Sequence, residues 1–236
     1  MRSDLKLLTR WIEQGERVLD LGCGDGSLLA HLKDEKNITG YGMEIDTQNI
    51  LKCVERNVEV IHQNLNEGLA YIDDKSFDTV IMTQSLQQTE RPDLVLKEMM
   101  RIGRRGIVTF PNFGHWTTRI YLGLRGEMPM SDVMPFRWYN TPNIHFFTFK
   151  DFEILCKEQG IRIIKRTVVD NDHEENWKIN LMPSTIVLGQ IKFGYNWRIL
   201  NYFGKVIIFM LFFFNYFPFF IDPFPREKRI FFVLNT

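Results

Sequence analysis

A chain of 236 residues is long enough to bury one sizeable α/β core and requires no second domain. Lysine plus arginine balance aspartate plus glutamate at 29 each, so no net field favours nucleic acid or acidic ligands. The three cysteines are far apart and form no CxxC pair, which argues against a disulfide or zinc framework and for reduced thiols in a cytoplasmic protein.

From Asp4, the spacing of Leu5, Leu8, Trp11 and Ile12 predicts a helix that Gly15 ends, and the charged start of the chain predicts no secretion signal. Val18-Leu19 begins strand one, a glycine loop follows, and Leu28, Leu29 and Leu32 mark a helix starting near Ser27. Strand two is Thr39–Glu44, after which Asp46 or Thr47 caps a helix with the inner face Ile50, Leu51 and Val54. Strand three covers residues 58–61 and strand four residues 77–82. Pro92 suits the first turn of a helix through Leu94, Val95 and Met99, and residues 107–110 give strand five. Such repeated units predict a doubly wound, mostly parallel sheet that binds ligands at the carboxyl ends of its strands.

Residues 111–147, rich in Gly, Pro and aromatics without a sustained period, read as an insertion after strand five on the ligand side. Thr148-Phe149-Lys150-Asp151 then resembles a capping box opening a helix, Gly160 suits its C′ position, and strand six covers 161–169. A last strand is predicted at 205–211, which sets an α/β domain at 1–211 and an aromatic C-terminal tail, expected to be poorly ordered, at 212–236. The apolar stretch 206–221 falls short of the roughly 20 residues that span a bilayer. Asn215 and Pro218 also interrupt it, so a membrane anchor ranks below a buried strand plus tail.

The chemistry lies in Val18-Leu19-Asp20-Leu21-Gly22-Cys23-Gly24-Asp25-Gly26, whose glycines let the backbone turn sharply and approach a ligand. A dinucleotide loop wants G-x-G-x-x-G or A, but Ser27 holds the third small position here and Gly26 comes one residue early. Glu44, ending strand two, supplies a carboxylate that can accept from both hydroxyls of a ribose. That acid suits NAD and S-adenosylmethionine alike; the glycine spacing favours S-adenosylmethionine.

The segments VLDLGCGDGSLLAHL, FDTVIMTQSLQ, RPDLVLKEMMRIGRRGIVTFPNFGHW and WYNTPNIHFFTFKDFEILC resemble the methionine biosynthesis protein MetW family, over roughly residues 1–170. The resemblance implies a seven-stranded class I methyltransferase fold, Rossmann-like, with S-adenosylmethionine as cofactor and a role beside homoserine O-acyltransferase. Carried over by position, Asp20, Gly22, Cys23, Gly24 and Gly26 belong to the loop around the methionine moiety, Glu44 meets the ribose, and Asn64 with Leu65 meets the adenine. Thr83, Gln84 and Ser85 close the site. Many relatives carry aspartate where this chain has Asn64; the amide still accepts a hydrogen bond but loses the charge.

Displacement at a sulfonium methyl needs alignment and at most a base for the acceptor. His115, Tyr139 and His145 are the candidate catalytic residues, with packing of the insertion as the competing role for each. The acids Asp73-Asp74 and those at 170–175 lack a metal-loop pattern, so no metal is expected. Arg101, Arg104 and Arg105 read as solvated charge. The leading reading is a methyltransferase of unknown acceptor. The alternative is a non-catalytic S-adenosylmethionine-binding regulator of homoserine O-acyltransferase, and a nicotinamide oxidoreductase is disfavoured by Ser27.

Overall fold

Strand β1 (Arg17–Leu21) is an apolar run whose alternate side chains serve two different layers. Val18 packs with Ile81, Ile107 and the leucines Leu28, Leu29 and Leu32 of α1 (Ser27–Lys36). Leu19 and Leu21 point the other way, into a larger cluster with Val80, Met82, Val108 and Phe110. Helices on both faces are what such an arrangement requires. In the computed structural model the described residues are 8–131, 134–170, 173–174 and 229–235. All belong to one unit, Met1–Ile186 with Arg226–Thr236.

After α1 come β2 (Thr39–Glu44), α2 (Thr47–Glu55), β3 (Val60–His62), β4 (Phe77–Thr83), α3 (Pro92–Ile102) and β5 (Gly103–Pro111). The strands stand in the order β3-β2-β1-β4-β5 and pair in parallel throughout, with Asp20 opposite Gly42 on one side and Ile81 on the other. Helix α4 (Trp116–Arg125), helix α5 (Phe149–Glu158), β6 (Arg162–Asp170), β7 (His173–Glu174) and β8 (Arg229–Asn235) complete the described elements. Thr148 caps α5 through the expected capping box, with Asp151 returning the bond, and Gly160 follows the helix in the left-handed conformation.

Four expectations change. Five strands rather than seven form the parallel sheet; β8, β6 and β7 extend it by antiparallel pairing to eight. The strand beside β5 is β8, which lies within 212–236 and pairs Arg105 through Pro111 with Asn235 through Arg229. The predicted strand at 205–211 lies outside the described residues. The region 111–147 begins inside β5 and carries the ten-residue helix α4, so it is not irregular throughout. Finally, α2 turns Cys53 inward, leaving Leu51 57% and Val54 62% exposed. Cys53 faces the glycine loop, its Sγ donating to the Gly24 carbonyl and standing against Cys23, while Leu51 and Val54 fall on the solvent-facing side of the helix.

Candidate functional site

The chain leaves β1 in a turn pinned to β2, because the amides of Gly22 and Cys23 both donate to the Met43 carbonyl, at 2.9 and 3.0 Å. Gly24 follows with φ of 57°, where a Cβ would project into open space. Its amide donates to Glu44 Oε2 at 2.8 Å. Glu44 Oε1 accepts from the amides of Ile45 and Asp46, each at 2.9 Å. One carboxylate thus ties the glycine loop to the start of α2 by accepting from three N–H donors.

Behind the loop the thiols of Cys23 and Cys53 stand 3.9 Å apart, and Cys53 Sγ donates to the Gly24 carbonyl at 3.2 Å. Burial pushes both thiols up, so they act as apolar packing. Asp20 lies 1% exposed at the end of β1, and neither of its carboxyl oxygens has a hydrogen-bond partner among the described residues. Burial first, and the nearby Glu44 carboxylate second, push its pKa up to about 7.

Gly22, Gly24, Glu44, Asn64, Leu65, Thr83, Gln84 and Ser85 come together as walls of one cleft of about 490 Å3. Ser85 Oγ donates to the Leu21 carbonyl at 2.9 Å, clamping β4 to β1. Gln84 takes a positive φ of 56°, with its amide on the Thr109 carbonyl at 2.9 Å. Asn64 caps a short 3-10 turn over Leu65–Glu67 by accepting from the Asn66 amide at 3.0 Å. Asp20, Cys23 and Gly26 do not line the cleft: Asp20 is buried at the end of β1, and a Cβ on Gly26 would press to 2.9 Å from Cys53 Sγ. Asp46, Asn49, Gln63, Asn66, Gln88 and Thr89 line it without having been anticipated. All six sit within a few residues of a strand's carboxyl end, and that position was the signal available for them.

His115, Tyr139 and His145 fall elsewhere. His115 precedes α4 with Nδ1 2.7 Å from Thr117 Oγ1, and Tyr139 is 63% exposed with its ring edge-on to Trp138. His145 borders a separate, mainly apolar hollow of about 270 Å3 with Leu86, Phe147, Phe152 and Leu155. Its amide and that of Ile144 donate to the Gln87 carbonyl, so the two hollows share the turn Leu86–Gln88 as a partition. The arginines are committed: Arg101 to Glu98 and Asp74, Arg104 to Asp78, and Arg105 to Glu16 and Thr79. Among the described residues no cluster of potential metal ligands occurs, and no helix is long and apolar enough to cross a membrane.

The family model of the methionine biosynthesis protein MetW matches residues 2–192. The bifunctional methionine biosynthesis protein MetXA/MetW of Rhodopirellula baltica is 37% identical over 182 residues, covering 73% of this chain and 29% of that protein. The chain therefore spans less than a third of that relative's length. A SAM-dependent methyltransferase structure from Archaeoglobus fulgidus superposes with a TM-score of 0.59 at 14% identity, over 99% of this chain and 91% of its own. Another, from Thermotoga maritima, gives 0.52 at 22% identity over 70% and 72%. These structural likenesses establish a class I methyltransferase, Rossmann-like α/β fold with a parallel sheet. With that fold, the glycine loop and the sequence match together, the chain belongs to the MetW family of methionine biosynthesis proteins.

Proposed function

We propose that the cleft binds S-adenosylmethionine and that the protein transfers its methyl group to an acceptor. The observation that carries this reading is the convergence of the glycine loop, Glu44 and the 64–66 turn on one cleft at the carboxyl edge of the sheet. The residues fit the cofactor on independent grounds. Gly24 leaves open space where a side chain would stand, and Asp20 is a buried acid lacking a hydrogen-bond partner among the described residues, near what would be the cationic methionine end.

In this reading the backbone of Gly22 and Gly24 lies along the methionine moiety and Glu44 accepts from the ribose hydroxyls with its remaining lone pairs. Asn64 and Leu65 flank the adenine, and Thr83, Gln84 and Ser85 bound the methyl end. The cofactor supplies an electrophilic methyl on a sulfonium. The protein's part is to align the acceptor and exclude water from the line of attack.

A second reading draws on two observations. The relative from Rhodopirellula baltica joins MetXA and MetW in one bifunctional protein. His115, Tyr139 and His145 also stand outside the cleft walls. Both favour a non-catalytic role in which S-adenosylmethionine binding alters a homoserine O-acyltransferase partner, which requires different affinities for two states of the complex.

The test is calorimetric titration of S-adenosylmethionine and S-adenosylhomocysteine into the purified protein, with Glu44→Ala alongside. Binding that the substitution weakens supports the reading. No binding by a folded sample overturns it. Acyltransferase activity that responds to the cofactor without loss of its methyl group favours the second reading over the first.

A further inference from the structure

Asp20, buried behind the cleft walls at the end of β1, is an acid whose two oxygens the fold leaves unanswered among the described residues. Both oxygens are sealed from solvent with no donor in reach among the described residues. A carboxylate in such a place is costly, because neither water nor a hydrogen bond compensates its charge. The titratable neighbours make matters worse: Glu44 from the end of β2 is itself a carboxylate, and Cys23 from the loop, backed by Cys53 from α2, is a thiol that burial keeps neutral. Across the sheet Asp20 lies opposite Gly42 and Ile81, which bring no charge. No lysine, arginine or histidine among the described residues acts on it.

We propose that Asp20 is protonated while the cleft is empty and releases that proton to solvent when a ligand carrying a positive charge at its methionine end binds. The carboxyl O–H bond breaks, the proton passes to buffer, and the resulting carboxylate is balanced by the incoming cation. Burial placing the ionisation near pH 7 puts the exchange within the physiological range. This inference rests on the S-adenosylmethionine reading but holds equally for a catalyst and for a sensor. Affinity then rises with pH up to about 7, by at most about tenfold per unit, and levels off above.

The experiment is calorimetry of the full chain with S-adenosylmethionine in buffers of different ionisation enthalpy, from about pH 6 to about pH 8.5, which counts the protons exchanged. Relative to Asp20→Asn, the wild type is expected to release up to about one more proton per ligand at the acid end and the same number at the alkaline end. S-adenosylhomocysteine keeps the ammonium but lacks the sulfonium. Release with both ligands assigns the effect to the ammonium; release with S-adenosylmethionine alone assigns it to the sulfonium. Binding without proton release at about pH 6, or equal release by Asp20→Asn, overturns the proposal while leaving the cofactor reading intact. Absence of any binding overturns the cofactor reading instead. Should Asp20→Asn fail to fold, carboxyl carbon NMR of the wild type decides: one aspartate titrating near neutrality only in the ligand-free protein supports the proposal, and its absence overturns it.

Discussion

Residues 17–46 and residues 112–148 both approach the carboxyl edge of the sheet, and they are built in opposite ways. In the first region backbone amides and one carboxylate lock the turns, and the apolar side chains of β1 are buried. In the second, large apolar side chains stand in solvent: Leu124 is 83% exposed, and Trp116, Trp138 and Tyr139 are also exposed. The first region is buried along β1, whereas in the second only a few side chains, such as Met134 and Phe147, reach the core. The difference teaches that the loop is preorganised by its own fold, so a ligand need not pay to order it.

The strongest way to break this contrast is Gly40→Ala. Its Cβ would sit 1.8 Å from the Val18 carbonyl oxygen, a backbone atom of the paired strand that cannot give way, so β2 could not pair with β1. Loss of cooperative unfolding by circular dichroism is expected, the equivalent of more than about 4 kcal/mol. Glu44→Ala comes next. It removes the acceptor of three amides, and calorimetry should show cofactor affinity down by about a hundredfold. Gly24→Ala separates site from scaffold. Its positive φ costs about 1–2 kcal/mol, so melting falls modestly while the methyl group enters open space and binding weakens.

Asp20→Asn should have a pH-dependent effect on the ligand-free protein. The folded-state pKa near 7 lies above the unfolded value of about 3.9. Between those values the folded state holds the extra proton, so stability falls as pH rises through the window, and the full penalty is present above it. The variant carries no such penalty. Its melting temperature relative to wild type should rise at about pH 8 and lose that gain by about pH 4, and a pH-independent difference would refute the assignment. Last, Leu124→Ser should change stability by less than about 0.5 kcal/mol and leave cofactor binding unaltered, since the side chain has little burial to lose.

Local signals were the legible ones. Strand β2 runs between the residues its pattern predicted, Asp46 caps α2, and Thr148 with Asp151 opens α5, because each of these features is decided within a few residues. The phase of α2 was not legible, since Leu51 and Val54 carry the same apolar character as core residues and the contact that turns Cys53 inward is made with the distant glycine loop. Strand β8 was hidden among other apolar runs, because its identity depends on a pairing with β5 that lies far back in the chain. In the cleft, the loop and Glu44 were readable from spacing. Asn49, Gln63 and Gln88 were not, as their place follows from three separate loops meeting at one edge.

The position of β8 between β5 and β6 has a consequence in time. During synthesis β5 and β6 are complete well before the strand that joins them exists. Roughly sixty residues separate the end of β6 from the start of β8, which at 5–20 residues per second leaves both edges unpaired for roughly 3–12 seconds. Unpaired edges recruit other strands. The nascent chain therefore passes through an interval in which protection by chaperones, slow elongation or low expression temperature decides its yield.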